Sequence, residues 1–275
     1  MLSFSPWALL PPIYSAGTAA GLCVVYFMAV GDEKVAPLSS ASWRRNGISV
    51  SSLHQVRARN KTSCHRVQFL HFSRHTNVSS CFSIAGNFPP ASCVFSEVMN
   101  VAAFLGFIVA VLRYLQLKPR IHNAWLNVSS LLAFSAACFG MTLVGNFQLF
   151  NDEITHNLGT FMTFGLGTLF CWVQSYVTLR VDIKNEGRKA GVLRFLLSGC
   201  ITLCMILYFS LMGQGFHMHA SRCQWALVMF FLIFISTFAI EFRHSRFNAA
   251  CTDAAGPLNV NEAFSEVTRY QPDQM

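Results

Sequence analysis

The chain has 275 residues, of which 53% are hydrophobic and 12% charged, and its formal net charge is +8. Soluble domains carry about 25% charged residues, so a soluble fold of this size would lack half of its usual surface charge. The basic excess does not mark a nucleic-acid binder, because Lys and Arg sit between long apolar runs, as membrane flanks do.

A bilayer-spanning helix takes about 20 mainly apolar residues, and six runs meet that length. The first covers 7–30. It has no basic stretch ahead of it, which argues against a cleavable signal, and Pro11 and Pro12 fall in its first turns, where a missing donor is best tolerated. Gly17-Thr-Ala-Ala-Gly21 offers a small-residue face for packing on a neighbouring helix. An outer loop, 31–92, follows. The second and third spans, 93–115 and 125–144, are joined by a short basic connection in which Pro119 stops the helix. The fourth span, 157–179, is rich in Gly, Thr and Phe, and the fifth and sixth cover 192–212 and 223–242. A polar tail, 243–275, completes the chain.

Lys and Arg in short loops set orientation. Arg113, Lys118 and Arg120 follow the second span; Arg180, Lys184, Arg188, Lys189 and Arg194 lie between the fourth and fifth; Arg243 and Arg246 follow the sixth. The opposite loops hold Asp152, Glu153 and a single Arg222. The expected fold is therefore an all-α polytopic membrane protein with six transmembrane helices and cytoplasmic N- and C-termini. The loop 31–92 is basic against this rule, but long loops translocate largely regardless of charge. Its sequons at Asn60 and Asn77 are candidate glycosylation sites if it lies outside, whereas Asn127 opens a span on the inner side and is not expected to be modified.

Polar residues at membrane depth are candidates for function. Glu97 and Asn100 share a helical face at the outer end of the second span; the carboxylate can attract cations or gate a pore mouth, or it can face outer-leaflet water or bond to a neighbouring helix. Asp152 and Glu153 form an acidic outer loop, which can attract cations or simply be solvated. Gln174 is expected to hydrogen-bond between helices, and Glu241 to pair at the interface beside Arg243. Cys251, past a basic juxtamembrane stretch, is a palmitoylation candidate or a free thiol. Cys138, Cys171, Cys200 and Cys204 read as small packing residues. His217 and His219, two apart, do not face each other on a helix, and no Cys/His spacing suggests a metal. With no phosphate-binding loop or nucleophile–base pattern, neither an enzyme nor a cofactor is expected.

Four motifs lie at the predicted helix ends: Phe88-Pro-Pro-Ala-Ser-Cys-Val-Phe-Ser96, Gly145-Asn-Phe-Gln148, Cys223-Gln-Trp225 and Phe238-Ala-Ile-Glu-Phe242. On these the chain resembles the DRAM and transmembrane protein 150 family. Asn151-Asp-Glu153, Val181-Asp-Ile-Lys-Asn-Glu-Gly187, Glu241-Phe-Arg-His244 and Tyr270-Gln-Pro-Asp-Gln274 are similar to its C-type branch. The likeness is strong over 84–244, while 41–82 departs from it and reads as an insertion into a shorter loop. Resemblance to the C-type branch implies a component, pore-forming or modulatory, of a mechanically activated, slowly inactivating, calcium-permeable cation channel at the plasma membrane. Its partners would be membrane lipids and either further copies of itself or other mechanosensitive channel subunits. The wider family implies a different role: a non-conducting adaptor in lysosomal autophagy or in recruiting phosphoinositide kinases.

Overall fold

The computed structural model describes residues 5–35, 37–39, 82–121, 123–181 and 187–245. The sequons at Asn60 and Asn77, Cys251, nearly all of the 41–82 insertion and the tail beyond Ser245 lie outside the described residues.

All regular structure among the described residues is helical. A 3-10 turn, Pro6–Leu9, leads into α1 (Leu10–Gly31), with prolines in its first turn. A short α2 (Phe82–Ala85) precedes α3 (Ala91–Leu117), which ends two residues before Pro119, and α4 (Ala124–Asn146) follows. α5 (Glu153–Phe161) continues through a π-helical turn, Met162–Leu166, into α6 (Gly167–Arg180), so the three form one uninterrupted rod. α7 (Gly187–Gly213), α8 (His217–Ser236) and the single-turn α9 (Ala239–Phe242) complete the bundle. By length and composition, Pro6–Gly31, Ala91–Leu117, Ala124–Asn146, Gly187–Gly213 and His217–Phe242 can each cross a membrane. With 27 residues, α3 and α7 are each about 40 Å long at 1.5 Å per residue.

The rods pack as a closed ring in chain order: α1 on α3, α3 on α4, α4 on the α5–α6 rod, α6 on α7, α7 on α8, and α8 back on α1. Apolar faces meet at the centre, where Phe134 and Phe170 lie with ring centroids 4.2 Å apart. At one end of the ring, Arg222 donates from Nε and Nη2 to the Leu38 carbonyl, and the Phe150 N–H donates to Asn87 Oδ1. We call this the Arg222 end. At the other, the Glu241 end, Asn127 donates to the Tyr114 carbonyl and the Pro6–Leu9 turn lies against α9.

Small residues decide how close two of the rods come. A Cβ added to Gly140 of α4 would lie 2.7 Å from the Gly159 carbonyl oxygen of α5, and one on Gly159 would lie 2.8 Å from the Gly140 oxygen. The two backbones are therefore in contact, which any side chain at either position would prevent. The Gly17/Gly21 pair behaves differently: Gly21 packs on Val98, but Gly17 faces open space. Only half of that predicted face is used.

Two further expectations change. Asp152 and Glu153 do not sit in a free loop, because Asp152 caps α5 and Glu153 is its first residue. The Asp152 carboxylate accepts from both the backbone N–H and the hydroxyl of Thr155, and these bonds hold its pKa below the usual carboxylate value. Cys200 is exposed on α7, while Cys138 and Cys171 are buried and Cys204 is half-buried. Cys200 stays outside the core because α7 turns that face outward.

Candidate functional site

At the Glu241 end the ring encloses a group of charged and polar side chains. Arg113 comes from the last turns of α3, Arg194 from α7 and Glu241 from α9. Their relative exposures are 1%, 0% and 2%. Glu241 Oε2 lies 2.8 Å from Arg113 Nη1 and 2.7 Å from Arg194 Nη2, and Arg113 Nη2 donates to Oε1 at 3.2 Å. The expected interfacial pairing of Glu241 with Arg243 is thus replaced by a buried bridge to two arginines from other helices. The reason is geometric: Phe234, Phe238, Glu241 and Phe242 are all buried, so this part of the chain turns into the bundle.

Two guanidiniums and one carboxylate leave a sealed charge of +2 − 1 = +1. Neutral acceptors take up the remaining donors. Arg113 Nε donates to Gln174 Oε1 at 3.0 Å, its Nη1 to Gln116 Oε1 and its Nη2 to Thr178 Oγ1. Arg194 Nε donates to Thr237 Oγ1 and its Nη1 to Thr178 Oγ1. Phe238 presents its ring to both cations, with the centroid 5.1 Å from the Arg113 guanidinium carbon and 4.4 Å from that of Arg194. α3 and α6 also end here, and each helix C-terminus brings a partial negative charge of roughly half a unit.

Backbone geometry sets the site up. α8 stops at Ser236, and Thr237 and Phe238 form a turn before α9. Thr237 donates its hydroxyl to the Phe234 carbonyl, which leaves the oxygen free to accept from Arg194. Gln174, placed by sequence as an interhelical bonding residue, joins three helices: it accepts from Arg113 and donates to Ser130 Oγ at 2.7 Å. Gln174→Leu leaves Arg113 Nε without its acceptor, and loss of a buried polar partner costs about 1–3 kcal/mol. The expected result is a lower melting temperature for the detergent-solubilised protein, with Gln174→Glu less harmful because it restores an acceptor and neutralises the excess charge.

The other sequence candidates lie elsewhere. Glu97 is exposed on α3. Asn100 exchanges two hydrogen bonds with Asn146 of α4, each 3.1 Å, and Ser96 donates to the same Asn146 oxygen. Glu153 is exposed at the start of α5, and among the described residues no hydrogen bond or ion pair joins Asp152 or Glu153 to Glu97 or Asn100. Sequence reasoning missed Arg113 and Arg194, which it counted as loop charges. The signal was available: Arg113, Gln116, Gln174, Thr178, Arg194 and Glu241 all fall within about two turns of the basic helix ends, and so at one depth.

Fold and site together define a polytopic helical membrane protein whose rods are fastened at one end by a buried arginine–glutamate cluster. The chain belongs to the Frag1/DRAM/Sfk1/Cwh43P N-terminal domain family, whose sequence model matches residues 6–245. It is 28% identical to the modulator of macroautophagy TMEM150B of Xenopus tropicalis, over 86% of this chain and 87% of that protein. It is 30% identical to human transmembrane protein 150A, over 86% of this chain and 83% of the relative. The TMEM150B of Danio rerio is 27% identical over 91% of both chains. No solved structure matches.

Proposed function

We propose that this chain is a non-enzymatic modulator of macroautophagy that crosses the membrane six times with both termini in the cytoplasm. Membership of the family, with TMEM150B relatives matched along most of their length, is the observation that carries the autophagy role. The orientation is supported by the gathering of Arg113, Lys118, Arg120, Arg180, Arg188, Lys189 and Arg194 at or near the Glu241 end, while Asp32, Glu33, Glu97, Asp152 and Glu153 collect toward the Arg222 end. Plasma and lysosomal membranes are the proposed locations, with lipids and further copies of the chain as partners. Depleting the protein from cells and following turnover of a lipidated autophagosome marker tests this. Altered flux that re-expression restores is expected; unchanged flux contradicts it.

A second reading, a component of a mechanically activated, calcium-permeable cation channel, draws on the motifs similar to the C-type branch and on one structural observation. Glu97 and the Asn100–Asn146 pair lie on the outer flank of the ring, where several copies could present them to a shared path. Within one ring, the axis holds apolar side chains and a sealed positive cluster, both of which oppose passage of a cation.

A further inference from the structure

Of the histidines among the described residues, His156 alone is buried, with 2% of its surface exposed. It stands one turn into α5, just ahead of the fourth span, and α5 packs against α4 there. Its Nδ1 lies 2.7 Å from the Phe147 carbonyl oxygen. A carbonyl can only accept, so Nδ1 carries the proton and the neutral ring keeps a bare lone pair on Nε2. Nε2 is itself buried and has no hydrogen-bond partner among the described residues.

That arrangement suits only the neutral imidazole. A second proton puts a charged N–H at Nε2 with nothing to receive it, and a buried charge without a partner is strongly disfavoured. The positive end of the α5 dipole, one turn away, opposes the cation as well. Burial accordingly pushes the His156 pKa below the usual histidine value, outweighing the Phe147 bond that raises it.

We propose that His156 is a proton-binding switch: a proton added to Nε2 from water turns the ring outward and releases the connection between α4 and α5. The Nδ1 bond closes that connection, 147–152, onto α5. The same stretch holds the end of the first outer loop, because the Phe150 N–H donates to Asn87 Oδ1 at 3.1 Å and its ring lies 6.0 Å from that of Phe88. Turning His156 outward therefore frees Phe147 and loosens the hold on Asn87 and Phe88.

The charged surroundings do not offset the cost. α5 packs chiefly on α4 and the π turn. The titratable side chain of α4 is Cys138, well below the Phe147 end, and the π turn has none. The connection contributes Asp152, whose carboxylate is engaged by Thr155, and α5 adds the exposed Glu153. No ion pair joins either carboxylate to His156 among the described residues. Farther round the same end stand Glu97, His217, His219 and Arg222.

In the released form the ring titrates near the ordinary value of about 6.5, so that form binds a proton which the packed form does not. The packed state is fully favoured above this value and loses ground as pH falls from there toward the depressed value of the packed ring. For one proton the released population rises severalfold, with a ceiling of about tenfold between pH 7.5 and 5.5. The switch belongs to the chain itself; its use as a sensor of an acidic lumen rests on the proposed orientation and lysosomal location.

The test is hydrogen–deuterium exchange of the full-length chain in detergent at about pH 7.5, 6.5 and 5.5, corrected for the intrinsic pH dependence of amide exchange. Peptides covering 147–156 are expected to exchange severalfold faster at the lowest pH, while those from α1 and α3 stay constant. His156→Asn keeps a donor for Phe147 and cannot titrate, so its profile should be flat. His217→Gln combined with His219→Gln should keep the wild-type rise. If His156→Asn does not elute as a folded species, nitrogen NMR of the histidine-labelled wild-type chain decides instead. One ring protonated at Nδ1 and resisting a second proton at the lowest pH is then expected. A flat wild-type profile, a rise that survives His156→Asn or vanishes with the α8 histidines, or spectra in which every ring titrates as free histidine does would overturn the switch. Autophagic flux plays no part in the readout, so failure here leaves the proposed function standing.

Discussion

Glu241→Gln is expected to be the most damaging single substitution in the described part of the chain. It leaves Arg113 and Arg194 buried together with no counter-charge, and removing one partner of a buried ion pair costs about 3–5 kcal/mol. Folded domains hold only about 5–15 kcal/mol in total, so much of the protein should fail to reach a monodisperse state. Size-exclusion of a fluorescent fusion, heated in detergent, gives the readout. The arginine excess also makes a second-site prediction. Adding Arg194→Leu to Glu241→Gln removes one of the two orphaned cations, so the double variant should melt higher than Glu241→Gln alone. Non-additivity of that sign is what residues sharing one network show. If the double variant melts lower by the sum of the single effects, the two side chains do not share a network.

Gly140→Leu is the second large effect. The Gly159 carbonyl oxygen and the Met162 Cβ both stand 2.7 Å from where a Cβ would be, so α4 and the α5–α6 rod must separate. Gly140→Ala should cost about 1–3 kcal/mol as an overpacked contact, and Leu more. Gly17→Leu is the control, because nothing lies within 4 Å of a Cβ there. Near-equal melting temperatures for Gly140→Leu and Gly17→Leu would mean that the close crossing of the rods does not exist in the membrane.

The helices were legible because a bilayer demands long apolar runs, and hydropathy reports those directly. Their ends were less so. α5 begins at Glu153, and the acidic pair looked like a loop because a capping Asp and a helix-starting Glu have the composition of one. Arg113 and Arg194 were misread for a related reason. Each stands where an apolar run gives way to basic residues, yet α3 continues to Leu117 and α7 begins at Gly187, so both side chains have helix on either side and turn inward. Gln174 could be placed because it is a polar amide inside the predicted fourth span, ahead of that span's basic end. The π turn has no such mark: Met-Thr-Phe-Gly-Leu is compatible with an ordinary α-helix, and only packing around the axis reveals the inserted register. An apolar void beside it is lined by α1, α2, α3, α4, the α5–α6 rod and α8 at once, and a hydropathy pattern records each helix separately.

The proposed modulator role needs no ion path, and each ring has an apolar axis and a positive cluster sealed at one end. Pressure-clamp recording from liposomes that hold the purified full-length chain alone tests this most directly. Patches are expected to stay silent up to rupture, while size-exclusion of the same sample shows folded protein. Stretch-activated cation current from that sample, altered in calcium permeability by Glu97→Gln, would contradict it and establish a pore built between copies.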